Sequence, residues 1–208
     1  MPRSARRSLS LADHARLLAR DVRRDGAGAE EFADRETELA RYLERSSGRF
    51  ATTLALIDEA LPPLAGRRVL EVGADPWLFT QLLLERGCAV VSAGRRPGVW
   101  QEDESLPSPQ GVELAWAGRR ERLAHHLFDV ERDRWPFPSG SLDVVVCMEV
   151  LEHLVYSPAH LLFEACRVLA PGGWLLLTTP NALAATKLGL LARGRTVQHP
   201  YSGYGWHG

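Results

Sequence analysis

From Gly66 onward the chain alternates short apolar runs ending in glycine or an acid with stretches whose apolar residues recur every three to four positions. This rhythm constrains the fold more than any other feature. Arg67–Gly73, Cys88–Ala93 and Leu142–Met148 are short and apolar enough for strands buried on both faces of a parallel sheet. Between the first two, Trp77–Arg86 carries Leu78, Leu82 and Leu83 on one helical side and is stopped by Gly87. Residues 95–111 are loop-like, with Pro97, Gly98, Pro107, Pro109 and Gly111. Val112–Trp116 is compatible with a third strand, and so is His125–Val130; the second is favoured, as a strand end bearing Asp129. Ser157 and Pro158 make an N-cap and first-turn pair for a helix over Ala159–Leu169. Pro171, Gly172 and Gly173 then turn the chain into a last strand, Trp174–Thr179. Such alternation predicts an α/β fold, a doubly wound, mostly parallel sheet with helices on both faces. Ligands of such sheets bind outside the carboxyl ends of the strands, here just after Gly73, Ala93, Asp129, Met148 and Thr179.

The segment before Gly66 is read as helical. A basic tail of about eight residues precedes predicted helices over Leu9–Arg24, Ala29–Arg45 and Phe50–Leu61, the last stopped by Pro62 and Pro63. These helices are expected to cap one side of the domain, where they could help enclose a ligand. The organisation expected is a tail and helical extension over 1–64, a ligand-binding α/β domain over 65–181 and an incomplete segment over 182–208. A chain of 208 residues buries a sizeable core without disulfides. Its net charge of -1 gives no argument for nucleic acid or an anionic membrane as partner. No apolar run approaches the ~20 residues of a membrane span, and Arg3, Arg6 and Arg7 are not followed by the apolar stretch of a secretory signal. Cys88, Cys147 and Cys166 are odd in number, form no CxxC pair and fall in apolar segments, which suits a reduced cytoplasmic protein with buried thiols.

Two motifs carry chemistry. VLEVGADPWLFT, Val69–Thr80, lies at a strand-to-helix turn where Gly73 lets the backbone approach a ligand closely. It lacks the GxGxxG of a dinucleotide cradle, and Asp75 near a helix N-terminus repels phosphate while tolerating a ligand without one. DVERDRWPFPSGSLDVVVCMEVLEHL, Asp129–Leu154, is followed by RVLAPGGWLLLTTPN, Arg167–Asn181. Over roughly residues 66 to 181 these strings resemble the class I S-adenosylmethionine-dependent methyltransferases, with a methyltransferase-11-like domain. That resemblance implies a Rossmann-like sheet of seven strands, with S-adenosylmethionine across its carboxyl edge. It further implies that Glu71 and Gly73, with Ala74 and Asp75 in the same turn, hold the methionine portion. Asp129 would bond the adenine amino group with Val130 beside it, and Cys147, Met148 and Glu149 would line the pocket. One departure stands out: where the family usually carries an acid for the ribose hydroxyls, this chain has Gly94, followed by Arg95 and Arg96.

A narrower likeness is to methyltransferases associated with glycan assembly that carry a GANPYFLT-like turn and a DPYSGYG-like string. Here these are GADPWLFT, Gly73–Thr80, and HPYSGYG, His199–Gly205. In that subgroup two further strands follow, so the chain looks truncated, with an exposed sheet edge that a protein partner or a second copy would cover. Glu149, Glu152 and His153, at i, i+3 and i+4, would share one face of a helical turn and could hold a divalent metal, as in metal-dependent O-methyltransferases. The EVLEH string is also common where no metal is implied, leaving His153 as a general base or as a structural residue. The function expected is methyl transfer to an oxygen of a small molecule or glycan-linked acceptor. The alternatives are a non-catalytic methyltransferase-like subunit or inactive fragment and, disfavoured by the missing GxGxxG and the missing acid after the second strand, a nicotinamide-dependent reductase.

Overall fold

A computed structural model describes residues 32–75, 77–94, 108–116, 119–181 and 184–195. The expected Leu9–Arg24 helix, the basic tail, most of the 95–111 loop and the HPYSGYG string lie outside the described residues. The chain divides into two units, Met1–Thr178 and Thr179–Gly208. In the first unit, helix α1 (Phe32–Ala60) precedes strand β1 (Arg68–Val72), helix α2 (Leu78–Glu85) and strand β2 (Ala89–Ala93). Strands β3 (Gln110–Trp116), β4 (Arg119–His126) and β5 (Leu142–Met148) follow. After β5 come a 3-10 turn (Leu151–His153), helix α3 (Pro158–Val168) and strand β6 (Leu169–Thr178). The second unit contains helix α4 (Ala185–Ala192).

The six strands form one sheet in the order β3-β4-β2-β1-β5-β6. All neighbours are parallel except β3 and β4. Both stretches weighed for the third strand are therefore strands, but they pair as an antiparallel hairpin, and β4 stops at His126, three residues short of Asp129. The order reverses beside β1: β2 lies on one side of it and β5 on the other. Such a switch point opens a crevice at the carboxyl ends of its two strands.

Alternation along β1 distributes its side chains between two cores. Val69 joins Val144 and Val146 under α1 and α2, where Phe50, Leu54, Ile57, Leu82 and Leu83 are buried. Leu70 and Val72 face the other side with Val145, Cys147, Trp135 and the α3 residues Leu161, Ala165 and Val168. Burying one such aliphatic side chain is worth about 1.5–3 kcal/mol. This scale explains a difference from the sequence-based expectation. The helices expected over Ala29–Arg45 and Phe50–Leu61 are one helix, continuous through Ser46, Ser47 and Gly48. A glycine inside a helix costs roughly 1 kcal/mol, less than Phe50, Leu54 and Ile57 recover together beyond it. The α3 start is as expected: Ser157 Oγ accepts the Ala159 amide at 3.2 Å, with Pro158 in the first turn. Cys88 and Cys147 are buried, whereas Cys166 is exposed on the outer side of α3, so one of the three thiols departs from expectation.

Candidate functional site

Gly73 follows β1 directly, with φ +72°. A Cβ there would lie 2.6 Å from Val150 Cγ2, so the position excludes any side chain on two grounds. Gly94 follows β2 in the same way. The nearest atoms to a Cβ built on it are Gly73 Cα at 3.7 Å, Gly73 N at 3.8 Å and His125 Cε1 at 3.8 Å. The sheet ladder runs on into both glycines, since Gly73 donates to the Ala93 carbonyl at 2.8 Å and Gly94 to the His126 carbonyl at 3.1 Å. Two bare backbone positions thus face each other at the carboxyl edge. Bare backbone of this kind can be approached closely by another group.

The residues of the VLEVGADPWLFT turn divide their work. The β1 alternation sends Glu71 toward α2, where its carboxylate accepts the Thr80 hydroxyl. Burial pushes its pKa up to about 8, and the Thr80 bond opposes that rise. Glu71 is therefore protonated at neutral pH and locks β1 to α2. Ala74 is buried in the core and Asp75 half-buried behind it. Trp77 takes a left-handed conformation, φ 59°, and caps α2 without a side-chain bond. Its indole Nε1 donates to Ser92 Oγ at 3.2 Å, and Ser92 Oγ lies 2.8 Å from His125 Nδ1. The rings of Trp77 and His125 meet edge to face at 5.3 Å. Sequence spacing could not find this trio, because it depends on the pairing of Ser92 with His125 across β2 and β4.

Asp129 and Val130 sit in the turn beyond β4. Asp129 Oδ1 accepts the Glu131 amide at 2.8 Å, and the Asp129 amide donates to Asp133 Oδ2 at 2.7 Å. Glu131 in turn accepts the amides of Val155, Tyr156 and Ser157 at 2.9, 2.7 and 3.1 Å. One carboxylate thereby ties the Asp129 turn to the approach to α3, a link the sequence did not signal.

After β5 the residues separate. Cys147 is fully buried in the α3-side core, and burial, with the Glu152 carboxylate adding to it, pushes its thiol up to about 12; only its backbone can face a ligand. Met148 packs against the opposite core. Glu149 has φ 54°, its amide donates to the Thr178 carbonyl at 3.0 Å, and its Oε1 accepts the Thr178 hydroxyl at 3.1 Å. Glu149 Oε2 pairs with Arg49 of α1 at 2.9 Å. Glu152 and His153 are exposed in the 3-10 turn. The metal set expected from helical spacing is not assembled: the left-handed step at Glu149 breaks the helical relation to Glu152 and His153. Among the described residues no three His, Cys, Asp or Glu side chains gather into a cation site. Nor is any described helix long and apolar enough to cross a membrane.

A doubly wound sheet with a glycine shelf at its switch point, followed by the LDVVVCMEVLEH strand and turn, defines a Rossmann-like methyltransferase fold. Residues 33–204 match the sequence model of a methyltransferase domain family, and the chain belongs to that family. Its class uses S-adenosylmethionine. The "Ubiquinone biosynthesis O-methyltransferase" of Paracidovorax citrulli is 32% identical over 146 residues, 65% of this chain and 57% of that protein. The protein of the same name from Pseudomonas aeruginosa is 28% identical over 175 residues, 83% of this chain and 66% of that one. The chain spans between half and two thirds of the length of these curated relatives. Among solved structures, a SAM-dependent methyltransferase from Archaeoglobus fulgidus is 17% identical with a TM-score of 0.48, covering 79% of this chain and 70% of that one.

Proposed function

We propose that this protein transfers a methyl group from S-adenosylmethionine to an oxygen of a small-molecule or glycan-linked acceptor. The observation carrying this reading is the pair of bare backbone positions at the switch point, where a Cβ built on Gly94 would lie 3.7 Å from Gly73 Cα. When bound, the cofactor supplies an electrophilic methyl on a sulfonium, so the protein's task is chiefly to place the acceptor. On this reading Gly73, Ala74, Asp75 and Glu149 surround the methionine portion, Gly94 the ribose, and Asp129 with Val130 the adenine. Cys147 and Met148 contribute backbone at the end of β5, and Glu71 holds β1 to α2 from beneath. His153, exposed at the end of its turn, accepts the proton of the acceptor hydroxyl. The names of the curated relatives support an oxygen acceptor. The GADPWLFT and HPYSGYG strings support a glycan-linked one. The outer edge of β6, last in the sheet order, is where a protein partner or a second copy would add.

The test begins with calorimetric titration of S-adenosylmethionine, followed by transfer of labelled methyl to catechol and sugar acceptors. His153→Ala is expected to lower kcat by about 100-fold with cofactor affinity unchanged. An equal loss in both would remove His153 from the proton path. Gly94 favours a second reading, a methyltransferase-like subunit without activity, because it leaves the end of β2 without a carboxylate. A folded protein that binds no cofactor would support that reading.

A further inference from the structure

Helix α3 turns a face without charge toward solvent. Its exposed residues are Pro158, Ala159, Leu162, Phe163 and Cys166. Its charged residues, Glu164 and Arg167, pair with each other at 2.6 Å beside the WPFP turn, and His160 Nε2 lies 2.8 Å from the Asp133 carbonyl. The opposite side, Leu161, Ala165 and Val168, is the one buried on the sheet. A surface helix ordinarily carries its charges outward, and a helix that is apolar all round is one covered on both sides. Ala159, Leu162, Phe163 and Cys166 recur at i, i+3, i+4 and i+7, which makes them one continuous stripe. The stripe extends into Val155 and Tyr156 just before the helix. Val155, Tyr156, Leu162 and Phe163 are 76, 66, 40 and 74% exposed. Side chains of these types at such exposure present roughly 400–500 Å² of apolar surface. The largest patch of an ordinary monomer is about 300–600 Å² and is often functional.

We propose that this stripe is a two-fold interface, on which a second copy of this chain lays its own α3 antiparallel to the first. The two ends of the stripe are electrically opposite. At the amino end Arg132 stacks over the Tyr156 ring at 4.1 Å, and its neighbours Glu131 and Asp133 turn their carboxylates to backbone amides. At the carboxyl end the last helix carbonyls present the negative pole of the helix dipole. An antiparallel copy sets each Arg132 against the other copy's negative pole, so one surface complements itself, as a two-fold axis requires. The area fits as well: a stable interface takes about 800 Å² from each partner, and the stripe supplies about half of that as an apolar centre. An uncharged centre is the composition of interfaces between copies of one chain. The spacing also sets the register. With the axis midway between Leu162 and Phe163, Leu162 of one copy meets Phe163 of the other, and Ala159 meets Cys166. The two Cys166 residues then lie about 10 Å apart along the helices.

The experiment is sedimentation velocity of the full 208-residue chain over a series of concentrations, joined to cross-linking under mild oxidation. The wild type is expected to form a dimer whose share grows with concentration. Phe163→Glu is expected to weaken that dimer by at least about 30-fold, the scale of an interface hot spot, while the monomer unfolds at an unchanged temperature. Ala159→Cys is expected to form a disulfide with Cys166 of the second copy, because residues that meet across the axis fall within the ~4.4–6.8 Å between Cα atoms that a disulfide spans. The wild type should give no cross-link under the same oxidation, and Cys166→Ser should abolish the one formed by Ala159→Cys. If Phe163→Glu does not fold, Leu162→Gln is read in the same way. A wild type that stays monomeric at the highest concentration reached overturns the proposal. So does a dimer that Phe163→Glu leaves intact, since it would use another face, such as the edge of β6. An Ala159→Cys chain that dimerises without cross-linking, or a wild type that cross-links through Cys166 alone, overturns the antiparallel register. A chain that is monomeric alone and is held through Phe163 by a different protein overturns the second copy as occupant.

Discussion

The two edges of the sheet are built on different principles. At the amino edge, Arg68 grips Asp143 through its backbone amide at 2.8 Å, Nε at 3.1 Å and Nη2 at 2.9 Å, and this holds the Asp143 carboxyl at about 2. Gly172 has φ +77° there, but nothing lies within 4 Å of a Cβ built on it. At the carboxyl edge, Gly73 has φ +72° and almost no room, and Glu71 is buried with a carboxyl pushed up to about 8. The two non-glycine residues with positive φ among those described, Trp77 and Glu149, are both at this edge. The same kind of turn is thus relaxed at one end and crowded at the other. Strain and a neutralised acid gather at the carboxyl ends of the strands, the end at which sheets of this order bind ligands.

The sharpest way to break this contrast is to add one methyl group at each edge. Gly73→Ala is expected to lower stability by about 2–4 kcal/mol, from the positive φ and the approach to Val150, and to weaken the cofactor at least tenfold. Gly172→Ala should cost about 1 kcal/mol and leave affinity alone. Thermal unfolding and calorimetric titration of both variants decide it, and equal effects on affinity would erase the distinction.

Next in size is Arg167, which ties α3 to the WPFP turn. It donates to Glu164 at 2.6 Å, to the Phe137 carbonyl at 2.9 Å and to the Trp135 carbonyl at 2.9 Å. Arg167→Ala should destabilise by about 3 kcal/mol, because Glu164 keeps its charge in a largely buried place. Denaturant unfolding at pH 7 measures this. Below pH 4 the penalty shrinks. Glu164 is held at about 2 by the Arg167 hydrogen bond, and the stability it contributes is lost as pH falls from its unfolded value through about 2.

Glu71 behaves oppositely. Its folded pKa lies above the unfolded value, so its contribution is present below about 4.5 and is lost as pH rises through about 8. Glu71→Gln should therefore change stability by less than about 1 kcal/mol near pH 5 and remove part of the decline between pH 5 and 9. An unchanged pH profile would mean that the carboxyl is ionised in the folded protein. The smallest effect is expected from Arg68→Ala at the amino edge, because the ion pair it removes faces solvent, with cofactor affinity untouched.

Much of the framework was legible because it is local. The LDVVVCM run gives β5 over the span expected, since an apolar stretch of that length suits a strand buried on both faces. Ser157 and Pro158 announce α3 through a bond and a fixed φ that lie within three residues. Gly73 was identifiable as the glycine of the tight turn after β1 because its motif is contiguous. Periodicity misled where local rules met larger burial. Ser46–Gly48 looks like a break, yet α1 runs through it because the apolar side chains beyond are buried against the sheet. The helical spacing that joined Glu149, Glu152 and His153 failed because a single left-handed residue rotates the chain between them.

By itself, then, the sequence determined the alternation of elements, the caps, the glycine turn and the family, all written in neighbouring residues. Only the tertiary structure decided that Arg49 meets Glu149, that Ser92 faces His125, that Glu131 holds the approach to α3 and that Glu71 is buried against Thr80. The first three join positions between 24 and 100 residues apart, brought together by a strand order that reverses beside β1. The fourth depends on which face of β1 packs under α2. No local pattern encodes those pairings, because each is set by the burial of two cores on opposite faces of one sheet.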